Sequence, residues 1–124
     1  MAVPSPYTIF KEVKFGPLTP IDVGDIRRKV ADQWFNQTLC AVNDSVVRLG
    51  IVEGEFHWHK HDAEDEFFFV LEGELFVEVE GRETVALGVH QGYVVPKGTL
   101  HRTRAPGRTM MLMMALKGVE PTGD

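Results

Sequence analysis

The chain of 124 residues holds one cysteine, Cys40, so no intrachain disulfide can form. A reducing, cytoplasmic setting fits that usage best. Cys40 lies in the apolar run from Leu39 to Val42, where a buried small hydrophobe is the expected role. Long apolar runs are missing as well. No stretch approaches the ~18 residues of a membrane helix, and the start of the chain, with Pro4 and Pro6 and no apolar core, does not read as a signal peptide. Basic blocks are also missing. Lys and Arg number 13 against 18 Asp and Glu, a net charge of -5, so neither nucleic acid nor an anionic membrane is an expected partner. There is no internal repeat and no low-complexity segment.

What is present is ordinary for a globular protein: 44% hydrophobic and 25% charged residues. The length suits one domain able to bury a core without disulfides. With 12 glycines and 7 prolines the chain is expected to turn often, between short strands.

Residues 1–37 read as an N-terminal arm and a short helix. The first 20 residues are Pro-rich with scattered Tyr7, Phe10 and Phe15, an arm or edge strand that packs on the body or on a second subunit. Over residues 22–35, Ile26, Val30 and Trp34 recur at a spacing of four, with Ala31 and Phe35 one step round. That spacing predicts an amphipathic helix, capped by Asp22 or Asp25.

From residue 38 to 117 the period shortens to that of strands. Leu39–Val42 and Val46–Val52 flank Asn43-Asp44 as a hairpin. A histidine strand, Glu55 to His61, follows, then Glu66–Leu71 and Glu74–Glu80, joined by Glu72-Gly73. Thr84–Leu87, Tyr93–Val95, Leu100–Ala105 and Met110–Leu116 complete the set, with Pro106-Gly107 read as a turn. The last strand is apolar at every position, which implies burial on both faces. Residues 118–124 read as a frayed tail. About eight short strands and at most one helix predict an all-β fold, an antiparallel sandwich or jelly-roll barrel with a short N-terminal helix.

The chemistry concentrates between Gly54 and Gly73. His57, His59 and His61 alternate there, and on a strand, with its side-chain period of two, all three would share one face, leaving Phe56, Trp58 and Lys60 on the other. Glu66 opens the next strand. Neutral imidazole is the commonest protein metal ligand, and a carboxylate completes a mixed nitrogen and oxygen site. His57, on the same face, is the candidate catalytic acid–base or substrate-contacting residue. Asp65 has the opposite parity to Glu66, His90 sits in a turn, and Arg102 and Arg104 point outward as surface ion-pairing residues. Phe68, Val70, Leu75 and Val77 are expected in the core, where a pocket wall would also lie.

These residues resemble the two motifs of the cupin superfamily. The first motif reads G-x5-H-x-H-x(3,4)-E-x6-G. Here Gly54 precedes His59, His61, Glu66 and Gly73, with four residues rather than five before His59. The second reads G-x5-P-x-G-x2-H-x3-N. Here Pro96, Gly98 and His101 match its centre, three residues rather than five separate Gly92 from Pro96, and Ala105 replaces the Asn. The departures fall at the motif edges, not at the ligands. The resemblance implies a cupin barrel with one divalent transition metal per chain (Fe, Mn, Ni, Co or Zn), held by His59, His61, Glu66 and His101. It further implies open coordination positions for a small-molecule substrate or ligand, in dioxygenase, decarboxylase, isomerase or lyase chemistry or in non-catalytic binding. Together with the surplus apolar surface it points to a homodimer.

Overall fold

The structure is a computed structural model and describes residues 7–123. In chain order the elements are β1 (Thr8–Phe10), α1 (Val23–Lys29), β2 (Trp34–Val42), β3 (Ser45–Glu55), β4 (Glu66–Glu72), β5 (Leu75–Val79), β6 (Val85–Leu87), β7 (Gly92–Val95) and β8 (His101–Leu116). The eight strands belong to one sheet with a main path β1-β2-β3-β8-β4-β7, and β5 pairs with β8 and β6. The pairing of β1 with β2 is parallel; the other ladders are antiparallel. This is the expected all-β sandwich with one short helix, and the sheet does not close on itself.

β8 joins the two layers. Its first residues, His101 to Arg104, pair with β5, while Met110 to Met114 pair with β4. β3 runs along its other edge over most of this length. Pro106-Gly107 therefore does not end the strand, as the turn reading supposed: it is where one long strand changes partner. The hairpin of β2 and β3 does turn at Asn43-Asp44, pairing Val42 with Ser45, and Asn43 adopts the left-handed φ of 53° that this tight turn favours. At Gly73, with φ of 82°, an added Cβ would meet Thr109 Oγ1 at 2.6 Å, so the β4–β5 turn needs a glycine to pass that close to β8.

The helix is shorter than the spacing predicted. Asp22 caps it, accepting a hydrogen bond from the Asp25 amide at 3.1 Å, but it stops at Lys29. Trp34 and Phe35 begin β2 instead, paired with Val52 and Ile51. Cross-strand pairing in a buried sheet outweighs a helical period in a short window. The histidine strand is a second correction. Between β3 and β4 the chain makes only an isolated bridge, His59 with His101, so strict alternation fails there: Phe56, expected outside, is buried and His57 is exposed.

Alternation along β2, β3 and β8 sends side chains to two faces. Ile26 of α1 covers the outer face, where Phe35, Leu39, Leu49, Ile51 and Met110 form one apolar cluster. Trp34, Val52, Phe68, Val70, Met111 and Met113 belong to the larger inner cluster. The predicted double burial of the last strand thus holds for Met110, Met111 and Met113, whereas Met114 and Leu116 are each 43% exposed on the outer face.

Candidate metal centre

The inner face carries polar residues among the apolar ones. His59, His61, Glu66 and His101 are all buried, and one nitrogen or oxygen of each lies within 4.8 Å of the others. Their placement follows from the strands. Glu66 is the first residue of β4 and His101 the first of β8. The segment before β4 is fixed by reciprocal backbone hydrogen bonds of His59 with His101, both 2.9 Å, and by the Gly98 amide donating to the His61 carbonyl at 2.8 Å. The PKG turn thereby locks His61 beside His101.

The ring orientations suit a metal. His59 Nδ1–H donates to the His57 carbonyl at 3.0 Å, and His101 Nδ1–H donates to the Thr99 carbonyl at 2.8 Å. Both bonds fix the tautomer that leaves Nε2 with a lone pair, the arrangement by which a metal-ligating histidine is oriented. His101 Nε2 is buried without a hydrogen-bond partner, a cost that coordination would remove. Glu66 Oε1 lies 3.4 Å from His61 Nε2 and 3.6 Å from His101 Nε2. Adjacent ligands at ~2.1 Å from one ion stand roughly 3.0–3.4 Å apart, so the spacing is close to that of one shared ion. Burial holds the His59 imidazole down at about 4, assisted by the neighbouring His101 and His61, so the ring is neutral at neutral pH. Burial works to raise the Glu66 carboxyl, but His101 and His61 overcome it and hold it at about 2. The donor set is therefore three imidazoles, that of His59 neutral, and one carboxylate, which fits a divalent transition ion.

Beside His59 and Glu66 opens a narrow cavity of about 20 Å³, room for about one water molecule, lined chiefly by Trp34, Phe56, Phe68, Met111 and Met113. Among the described residues no titratable side chain other than His59 and Glu66 lines it. His57 stands outside. Its Nε2–H donates to the Thr122 carbonyl at 2.6 Å, and both its Nδ1 and its backbone amide meet the Tyr7 hydroxyl at 3.2 Å. His90 is exposed, and Asp65 accepts from the Lys97 amide at 3.0 Å, steadying the PKG turn. Arg102 pairs with Glu78 and Glu55, and Arg104 with Glu78, both outside the cavity.

Two features went unseen in the sequence. One is the tail, which is not frayed: Val119 is buried, Pro121 lines the cavity, and a Cβ on Gly123 would meet His59 Cβ at 2.6 Å. Residues 119–123 form a strap over the cluster, held by Arg48 donating to the Val119 carbonyl at 3.0 Å and by a Lys11–Glu120 ion pair. The other is a polar row on the inner face. Asn36 pairs with Gly50, and Thr38 with Arg48. Arg48 is buried and donates to Thr38 Oγ1 at 3.2 Å. A lone arginine at strand parity with Gly50 and Val52 was the available signal, while Asn36 was hidden by the helical reading of residues 22–35.

Comparison with known proteins agrees with this architecture. The sequence model of the cupin domain family (Cupin_2) matches residues 46–116. The uncharacterized protein YdbB of Bacillus subtilis (strain 168) is 41% identical over 95 residues, covering 77% of this chain and 84% of its own. A cupin-2 domain containing protein from Shewanella frigidimarina NCIMB 400 superposes with a TM-score of 0.71 at 31% identity, over 76% of this chain and 91% of that one. DMSP lyase DddQ from Ruegeria pomeroyi DSS-3 shares the fold, with a TM-score of 0.61 at 22% identity over 74% of this chain and 51% of its own. With the family pattern spanning β3 to β8 and the buried cluster of His59, His61, Glu66 and His101 within it, the chain belongs to the cupin domain family.

Proposed function

We propose that this cupin holds one divalent transition metal through His59, His61, Glu66 and His101, and that it binds and transforms a small oxygen-bearing molecule there. The carrying observation is the buried cluster, with Nε2 of His59 and His101 freed by carbonyl bonds on Nδ1. When bound, a divalent ion of this kind supplies Lewis acidity, or electron transfer if it is redox-active. The protein's own part is positional. The His57 and Thr99 carbonyls aim two ligands, and Phe56 and Phe68 shield the cluster from water. One carboxylate offsets half the charge of a divalent ion, so an anionic or hydroxyl oxygen is the favoured further ligand. Four protein ligands leave about two positions open on a six-coordinate ion. Fe, Mn, Ni, Co and Zn all suit this donor set. The test is a screen of hydroxylated and carboxylated small molecules against tag-free protein loaded with each metal in turn. Turnover with at least one pair is expected, whereas saturable binding without turnover would assign a non-catalytic role.

That second reading, a metal and ligand-binding module, is favoured by one observation: the cavity offers no acid or base beyond the ligand set. His57 would serve as a base only if the strap released its Nε2, and a bell-shaped rate profile lost in His57→Ala would establish that role.

The same reading includes a cytoplasmic homodimer. Val94, Met114 and Leu116 are 51%, 43% and 43% exposed on the outer face beyond the reach of α1, and Phe67 pairs with both Val94 and Met114 on that face. A second copy across a two-fold axis would cover them. Light scattering at micromolar concentration is expected to give twice the chain mass, and a monomer mass throughout would contradict it.

A further inference from the structure

The cavity beside the metal cluster is apolar with one exception that nothing in the fold uses. Asn36 lines it at 7% exposure, and its Oδ1 is buried without a hydrogen-bond partner. An amide oxygen left so in a native core costs about 1–3 kcal/mol, and such a group calls for an explanation. The sheet places it deliberately. Asn36 stands between Trp34 and Thr38 on the inner face of β2 and opposite Gly50 of β3. Gly50 has no side chain to fill the space, and a Cβ there would already meet Met111 and Met113 Cε at 3.0 Å. The same strand positions on the outer face, Phe35 and Ile51, are closely packed apolar residues. An acceptor therefore sits in an aromatic and methionine-lined slot, at the end of which lie His59 and Glu66.

We propose that Asn36 is a specificity-determining residue of this slot. It accepts a hydrogen bond from a hydroxyl of a small, neutral, largely apolar ligand whose other oxygen reaches the metal. The inference rests on the metal-dependent reading given above and sets the substrate class: a compact diol-like or phenolic molecule. An amide oxygen accepts and so rewards an O–H donor, and the apolar lining favours an uncharged body. Trp34, Phe56 and Phe68 supply flat surfaces for the body of such a molecule. Met111 and Met113, unbranched and adaptable, give way to admit it.

The experiment uses the full chain loaded with Co(II), whose visible spectrum reports both loading and ligand entry. The probes are catechol, resorcinol and hydroquinone, which hold two hydroxyls at three different spans, each beside its monomethyl ether. The expected result is that methylation weakens binding of the best-fitting diol about tenfold in the native protein, and that this penalty disappears in Asn36→Leu. Lost chelation would penalise native protein and variant alike and cancels in the comparison. Asn36→Asp, a near-isostere whose carboxyl oxygens still accept, is expected to fold and to keep the methylation penalty at the neutral pH of the assay. Equal methylation penalties in native protein and Asn36→Leu, or no methylation penalty in the native protein, would overturn the role of Asn36. Co(II) loading without entry of any diol would overturn the ligand class. No Co(II) spectrum at all would instead remove the metal-dependent reading on which the inference stands.

Discussion

The two faces of β2 and β3 are built from alternate residues of the same strands, yet they obey different rules. The outer face reads Phe35, Gln37, Leu39, Leu49 and Ile51, packed beneath Ile26 of the helix, and its buried polar side chain, Gln37, is satisfied by the Glu12 and Thr38 carbonyls. The inner face reads Trp34, Asn36, Thr38 on one strand and Arg48, Gly50, Val52 on the next. It surrounds a cavity, a buried arginine and a metal-ready cluster. The outer face is the part that close packing can explain. The inner face packs the larger apolar cluster and yet leaves polar atoms wanting partners, which is what a binding site requires. Stability and function are thus separated by a single step in the strand period.

That separation can be broken from either side. The largest effect is expected from Leu49→Ala on the outer face. Leu49 is fully buried, and its truncation is expected to cost about 2–5 kcal/mol in chemical denaturation, while the folded fraction still takes up metal normally. Loss of metal uptake by the folded fraction would show that the two faces are not separable.

Acid attacks the inner face. His59 is held at about 4 against an ordinary 6.5, so between those values the unfolded chain binds a proton that the native protein refuses. The stability this gives the metal-free protein is complete above about pH 6.5 and is lost as pH falls toward 4, by up to roughly 3 kcal/mol. The Glu66 contribution has the same sign in a lower window, present above 4.5 and lost as pH falls toward about 2. Denaturation midpoints of metal-free protein at pH 7 and pH 4.5 check the first window. A midpoint unchanged between them would contradict the neutral, buried His59.

Removing a ligand comes next. His101→Ala is expected to lower metal affinity at least about 100-fold and to leave the circular dichroism of the metal-free protein unchanged, because at this size the core strands carry stability. Smaller still is the effect of loosening the strap. In Gly123→Val the added side chain collides with the His59 ring, and φ of 96° disfavours it besides. With roughly 1–2 kcal/mol of strap hydrogen bonding lost, transfer of metal to a chelator is expected to quicken about tenfold. An unchanged transfer rate would mean that the strap does not govern access.

The comparison also marks what was legible in the sequence. The four clustered residues were readable because their spacing is local: His59, His61 and Glu66 span eight positions, and the PKG turn announces His101. Strand alternation likewise placed Arg102 and Arg104 outside. It failed for Phe56 and His57, since the chain there is not a regular strand and each side chain follows its own hydrogen bonds. The helical period of Ile26, Val30 and Trp34 was real but too short to compete with pairing of Trp34 and Phe35 against β3. The strap was invisible because its anchors, Arg48, Lys11 and His57, lie far from residues 119–123 in the chain. Asn36 was lost with the helix boundary: a residue assigned to the wrong element has no face.

The central claim is that the inner face exists to hold a metal. Elemental analysis of tag-free protein, reconstituted with Zn(II) or Co(II) and freed of excess ion, tests it most directly. One equivalent per chain, falling to near zero when His59, His61, Glu66 and His101 are all replaced by alanine in a variant that still folds, is the predicted result. No bound metal in the native protein, or metal retained at one equivalent by the variant, would contradict it.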